Sequence, residues 1–212
     1  FVPRNPGTGF QGIIPADEAL GNSLNVTALK AIIYAGVPEN ITTLKTAGFT
    51  TLDNPAGYGP ALTLGGVDVT LEDLTYGYST FATGGVMRGQ ETLYDYDEGE
   101  RALDPVAILE VTDPMGEVLY EYAEPREQRV FPESYPYLVT SILSDGSNQC
   151  ITFGACNALG LPDGRPSAQK TGTSEPYANA LRQIGETWAV GYTPHLVAGV
   201  WFGNSDNTPM VN

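Results

Sequence analysis

Three strand candidates crowd the end of the chain, at residues 167–174, 187–192 and 196–202, and only Thr193-Pro194-His195 separates the last two. Segments of this length, rich in Val, Thr, Trp and Tyr, read as strands, and so tight a link pairs its neighbours antiparallel. The front of the chain has a different texture. Residues 15–36 read as helix, break, helix: Pro15 suits a first helical position, and Asp17 and Glu18 favour the positive end of the helix dipole. Gly21-Asn22 interrupts the pattern, then Leu29, Ile32 and Ile33 recur at helical spacing up to Gly36. Another short helix is expected over 38–47, and a Gly/Pro-rich loop over 49–69. Thr70 looks like an N-cap for a helix carrying Leu71, Leu74, Tyr78 and Phe81, stopped by Gly84-Gly85. A hairpin is predicted around Asp113-Pro114-Met115-Gly116, spanning 108–121. Residues 134–144 look helical again, with Tyr137, Leu138, Ser141 and Ile142 on one face. Helices first and a strand cluster last predict an α+β fold with an antiparallel sheet.

Composition narrows the function classes. The chain has 212 residues, 42% of them hydrophobic, which suits a globular domain and not a disordered acidic tail. Acidic residues outnumber basic ones 25 to 10, for a net charge of -15. Such a surface repels phosphate backbones, so no nucleic-acid partner is expected. No apolar run approaches the roughly 20 residues of a membrane helix, so no membrane contact is expected from this segment. Two Cys and one distant His do not make a zinc site, and no metal or cofactor is predicted. Cys150 and Cys156 lie in a Gly/Asn-rich loop, and their spacing alone fits either a small-loop disulfide or two free thiols. The acidic stretch 91–104 reads as a solvated loop, because it lacks the ligand pattern of a calcium loop. His195, alone in a proline turn, reads as a surface residue.

Two short constellations carry chemistry. Ser23-Leu24-Asn25 opens a helix after the Gly-Asn break, and Lys170-Thr171-Gly172-Thr173 lies in a predicted strand before a polar loop. An ammonium among hydroxyls, with a Gly that admits close backbone approach, suits a carboxylate or a developing oxyanion. In this order the two resemble the S-x-N and K-T-G motifs of serine penicillin-recognising enzymes. The surrounding words are similar to those of class A penicillin-binding proteins, the bifunctional peptidoglycan synthases. They include Glu18-Ala19-Leu20, Leu64-Gly65-Gly66-Val67-Asp68-Val69-Thr70 and Phe81-Ala82-Thr83-Gly84-Gly85. Near the end come Trp188-Ala189-Val190-Gly191-Tyr192-Thr193-Pro194 and Val197-Ala198-Gly199-Val200-Trp201-Phe202-Gly203-Asn204.

The resemblance implies a penicillin-binding transpeptidase fold and a D,D-transpeptidase reaction. A Ser attacks the D-Ala-D-Ala end of a peptidoglycan stem peptide, and an amine of a neighbouring stem resolves the acyl-enzyme into a crosslink. Ser23 would relay protons to and from the leaving group, Asn25 would hydrogen-bond the substrate backbone, and Lys170 would set the local positive potential. Thr171 and Thr173 would bind the substrate carboxylate, with Gly172 leaving room for the Thr173 N–H as an oxyanion donor. β-Lactams and stem peptides are the implied partners, a glycosyltransferase domain is expected in the parent chain, and the location is extracytoplasmic through a membrane anchor outside this segment. That location favours the Cys150–Cys156 disulfide.

One departure matters. The family's nucleophile motif, S-x-x-K, should precede Ser23, yet residues 1–22 contain neither Ser nor Lys. The one such string, Ser167-Ala168-Gln169-Lys170, overlaps K-T-G and lies in expected strand, where i and i+3 face opposite sides. The expectation is therefore a single partial transpeptidase domain over 1–212, with an S-x-N helical part at 1–90, a hairpin region at 105–123, and a helix and K-T-G sheet part at 132–204. It is expected to be clipped at both ends, to expose an unpaired sheet edge, and to be inactive by itself. The alternative is a non-catalytic peptidoglycan-binding or β-lactam-sensing module on the same fold.

Overall fold

A computed structural model describes residues 3–5, 7, 9–122, 124–174 and 184–210. Residue 123, at the end of the predicted hairpin region, and residues 175–183, where a polar loop is predicted to follow the K-T-G strand, lie outside the described residues. The chain opens with α1 (Ala16–Gly21), α2 (Asn25–Ala35) and α3 (Val37–Thr46). The break between α1 and α2 has a packing cause. A Cβ on Gly21 would lie 2.4 Å from Asn148 Cβ, so only Gly fits there, and Ser23 then turns the chain with a φ of 56°.

The expected loop at 49–69 holds two 3-10 turns, Pro55–Gly57 and Pro60–Leu64. Each begins at a Pro, whose fixed φ and missing N–H suit a first helical position. In α4 (Leu71–Ala82) the Thr70 hydroxyl accepts the Asp73 N–H at 3.0 Å, the capping contact expected from the sequence. Its burial is less simple than the apolar stripe suggests. Asp73, Tyr76, Gly77 and Thr80 are its most buried residues, while Leu71 is exposed. The polar stripe is tolerated inside because each group finds a partner: Asp73 accepts from Thr50 and Arg101, and the Tyr76 hydroxyl donates to main-chain carbonyls.

The acidic stretch departs most from its expected solvated loop. Arg101 and Asp104 are buried, and Arg101 bridges Asp73 at 2.9 Å and Asp104 at 2.9 Å. A second difference is a two-stranded sheet of β1 (Val86–Gly89) and the wholly exposed β4 (Arg126–Arg129). Arg-Glu-Gln-Arg offers no alternation of apolar and polar residues, so nothing local marks it as strand. Between them β2 (Glu110–Thr112) and β3 (Val118–Glu121) form the predicted hairpin. Its turn is held by the Asp113 carboxylate, which accepts the Met115 and Glu117 N–H groups at 2.8 and 2.9 Å.

α5 (Ser134–Ser144) is followed by a 3-10 turn at Gly146–Gln149 and by the short α6 (Cys150–Phe153). The apolar face read from the sequence is the outer one. Tyr137 and Leu138 are exposed, and the helix instead packs through Leu143 against Ala168 and Tyr192. The Thr140 and Tyr192 hydroxyls meet at 2.8 Å on the same inner side.

The main sheet is antiparallel in the order β5 (Ala168–Ser174), β6 (Glu186–Thr193), β7 (Leu196–Gly203). Helix α4 lies across β7 and β6, and a Cβ on Gly199 would sit 2.1 Å from Thr75 Oγ1, so the glycine sets how closely helix and sheet approach. The largest cluster of buried residues is Ile32, Ile41, Phe49, Leu52, Leu62 and Phe131 with Ala47. Each large aliphatic side chain withdrawn there contributes about 1.5–3 kcal/mol. On the other face of β7, Leu196, Val200 and Phe202 are exposed, and among the described residues the outer edges of β5 and β7 are unpaired. Among the described residues no helix is long and apolar enough to cross a membrane.

Candidate active site

Ser23 owes its position to the end of α1. Its N–H donates to Leu20 O at 3.0 Å and the Leu24 N–H to Ala19 O at 2.9 Å, closing the helix so that Ser23 sits on a left-handed turn. For a residue other than Gly this conformation costs roughly 1–2 kcal/mol and persists only where the surroundings fix it. Leu24 is buried beside it and acts as the plug of the turn.

Lys170 comes from the sheet. It lies opposite Val190 on β5, with Thr171, Gly172 and Thr173 opposite Ala189, Trp188 and Thr187. Its Nζ donates to Ser23 Oγ at 2.7 Å and to the Thr171 carbonyl at 2.7 Å, joining residues 147 positions apart. Among the described residues no carboxylate pairs with this ammonium. Burial without a counter-charge pushes its pKa down to about 8, so it can exchange its proton near neutral pH. Because the ammonium occupies a lone pair of Ser23 Oγ, the serine O–H is free to point away from Lys170.

The remaining predicted residues are placed as follows. Asn25 is the first residue of α2, and its side-chain N–H₂ donates to the Arg4 carbonyl at 2.9 Å. Nearby Asn5 Oδ1 accepts the Val26 N–H at 3.0 Å, so residues 4 and 5 run beside the start of the helix. No hydrogen bond joins Asn25 to Ser23 or Lys170. A Cβ on Gly172 would meet Trp188 Cβ at 3.5 Å, an ordinary contact, so internal packing does not demand Gly there. Thr173 is exposed and Thr171 half-buried along the same strand, whose outer edge is unpaired among the described residues. Ser167, just before β5, accepts a hydrogen bond from Gln169 Nε2, whereas Lys170 reaches Ser23. Cys150 and Cys156 are joined as a disulfide with their Cα atoms 4.2 Å apart. His195 is exposed in the β6–β7 turn.

Two supports have no counterpart in the sequence reading. The Glu186 carboxylate accepts Trp201 Nε1–H at 2.6 Å and the Ser174 hydroxyl at 3.2 Å, tying the end of β5 across to β7. Asn22, beside Ser23, is buried and binds backbone groups about 130 positions downstream. A polar residue within a tight helix break is the one local hint of that role. Its partners are too distant in sequence to be guessed.

The chain aligns end to end with Escherichia coli K12 penicillin-binding protein 1C at 30% identity, covering 22% of that protein. It is also 29% identical over 203 residues to penicillin-binding protein 1A of Aquifex aeolicus VF5, covering 24% of it. Over nearly its whole length the chain is similar to class A penicillin-binding proteins. It thus spans less than a quarter of these curated relatives. Its fold is that of the penicillin-binding transpeptidases. It superposes on PonA1 of Mycobacterium tuberculosis with a TM-score of 0.76, covering 98% of the chain and 51% of that structure at 23% identity. PonA1 in complex with penicillin V matches with a TM-score of 0.71, over 92% of the chain and 49% of that structure, again at 23% identity. No family model matches the chain.

Proposed function

We propose that this chain supplies the S-x-N and K-T-G walls of a D,D-transpeptidase site, which crosslinks peptidoglycan stem peptides ending in D-Ala-D-Ala and is acylated by β-lactams. The observation that carries this reading is the 2.7 Å contact between Lys170 Nζ and Ser23 Oγ, made by an ammonium that has no carboxylate partner among the described residues. The ammonium supplies positive potential and holds one side of Ser23 Oγ. Ser23 passes a proton from its hydroxyl to the departing amine and recovers one from Lys170, a general-acid relay worth about 10²–10⁴ in rate. Thr171 and Thr173 take the substrate carboxylate. The Thr173 N–H stabilises the tetrahedral oxyanion beside Gly172, where no side chain obstructs approach. Asn25 orients the stem-peptide backbone with its amide oxygen. The attacking Ser lies outside residues 1–212, so the segment by itself takes no penicillin. The parent protein is a bifunctional synthase with a glycosyltransferase domain, anchored in the membrane with this domain outside the cytoplasm. Residues 1–212 form part of one transpeptidase domain.

The test is acylation of the full-length protein by a fluorescent penicillin. Wild type is expected to be labelled, and Lys170→Met and Ser23→Ala to be labelled about 10²–10⁴ times more slowly. Equal labelling rates for wild type and Lys170→Met would remove the basis of the reading.

A further inference from the structure

The turn that presents Ser23 is held from behind by one side chain. Asn22 is 1% exposed, and its Oδ1 accepts the N–H groups of Ile151 at 2.8 Å and Thr152 at 3.0 Å. Its Nδ2 donates to Glu18 O at 2.9 Å, so the same amide fastens the end of α1. Ile151 and Thr152 belong to the first turn of α6, whose N–H groups have no partner inside the helix. Asn22 therefore caps α6, and α6 in return fixes Asn22. Among the described residues the buried Thr152 hydroxyl has no hydrogen-bond partner and adds no tether of its own.

A helix of four residues has no stability of its own. This one is closed covalently by the disulfide from Cys150, its first residue, to Cys156, six positions on, beside the Asn157 N–H that donates to Gly146 O at 2.8 Å. Cys156 is exposed and within reach of a reductant. Opening the bridge frees the backbone of residues 150–156, so the two N–H groups are no longer aimed at Asn22. A buried amide oxygen left without donors shifts until it finds new ones. Ser23, the next residue, sits at a φ of 56° that only its surroundings maintain, so its turn relaxes with the shift.

We propose that Asn22 is the positioning residue for Ser23, and that the Cys150–Cys156 disulfide governs it, so that acyl transfer in this protein depends on the thiol–disulfide state of the 150–156 loop. This rests on the reading of Ser23 and Lys170 as acyl-transfer groups. The chemical step is thiol–disulfide exchange with a dithiol. The Cys150–Cys156 S–S bond breaks, each sulfur gains a hydrogen, and the donor gives up two electrons and two protons to become a disulfide.

The experiment measures the acylation rate of the full-length protein by a fluorescent penicillin before and after dithiol treatment, with two newly alkylated thiols by mass spectrometry marking the opened bridge. Reduction is expected to slow acylation about ten- to a hundredfold, the scale of a displaced catalytic group. Asn22→Leu, equal in size but unable to accept, is expected to show the same loss and to respond to reduction by no more than about twofold. Asn22→Asp keeps the acceptor oxygens and is expected to return to within about threefold of wild type. If Asn22→Leu does not fold, the Cys150→Ser/Cys156→Ser variant serves in its place and should match reduced wild type. Equal rates in the oxidised and reduced protein, or losses from Asn22→Leu and reduction that multiply, would overturn the proposal. If oxidised wild type takes no penicillin at all, the acyl-transfer reading fails, and amide exchange decides this proposal instead. Ile151 and Thr152 N–H should then exchange at least about tenfold faster after reduction, and unchanged exchange would refute it.

Discussion

Arg101 and Lys170 are both withdrawn from water, yet the fold treats them in opposite ways. Arg101 sits between two carboxylates, Asp73 and Asp104, at 2.9 Å each, and its guanidinium also lies 5.1 Å from the centre of the Tyr76 ring. Asp73 is itself held by the Thr50 N–H and hydroxyl, so both of its carboxylate oxygens have partners under α4. Among the described residues Lys170 meets a hydroxyl and a carbonyl and no carboxylate. The Arg101 network offsets the cost of desolvation with ion pairs and hydrogen bonds. An ammonium without a carboxylate retains that cost as a lowered pKa, and its proton is available for chemistry. In this chain a cation drawn into the fold without a carboxylate among the described residues, not the cluster richest in charge, marks the candidate site.

Four outcomes would break or sharpen that contrast. The largest is Arg101→Met, which leaves Asp73 and Asp104 buried without a counter-charge. It should cost about 3–5 kcal/mol in urea unfolding, or prevent folding. A loss below 1 kcal/mol would mean that the network contributes little.

Lys170→Met should do the reverse, leaving the fold as stable as wild type or more so below pH 8. The sign follows from the depressed pKa of about 8 against an ordinary value of 10.5. Below about 8 both folded and unfolded chains carry the proton, and the folded state bears the full cost of the buried charge. Between 8 and 10.5 only the unfolded chain holds it, so wild-type stability from this group rises with pH. The advantage of Lys170→Met should therefore shrink as urea midpoints are measured from pH 7 toward 10. In the full-length protein, acylation should fall as pH rises through about 8, because Ser23 then loses its ammonium neighbour.

Smaller still is Thr70→Ala. It removes the hydroxyl that accepts the Asp73 N–H and should lower stability by about 1 kcal/mol, read from the thermal midpoint. Glu127→Gln, which breaks the exposed Arg88–Glu127 pair across β1 and β4, should change stability by less than about 0.5 kcal/mol. Together these two set the scale on which Arg101→Met counts as large.

Much of the fold was legible because it rests on local rules. The 3.6 periodicity and N-cap of α4, the turn of the hairpin, and the three dense strands at 168–203 are written in short windows. What was not legible rests on distant partners. Arg101 and Asp104 read as part of a solvated acidic loop because their neighbours in sequence are charged, while Asp73 lies 28 positions before Arg101. β4 was invisible because its side chains face water, and its pairing with β1 rests on main-chain hydrogen bonds and one exposed ion pair, not on an apolar face. The face chosen for α5 was the outer one for a related reason. The most apolar stripe is not the stripe that the sheet presses on.

For the candidate site, the sequence by itself determined the residue types and their order: Ser23 and Asn25 at a helix start, then Lys170, Thr171, Gly172 and Thr173 along a strand. Those words are local, and so is the chemistry of each group. Only the tertiary structure decided which groups touch. It brought Lys170 to Ser23 across 147 positions, turned the Asn25 amide toward Arg4, and set Asn22 and the bridged loop behind the serine. The physical reason is that a hydroxyl and an ammonium hold their chemical nature wherever they stand. The pKa, the free lone pair and the direction of a proton depend on what the folded chain places within 3 Å.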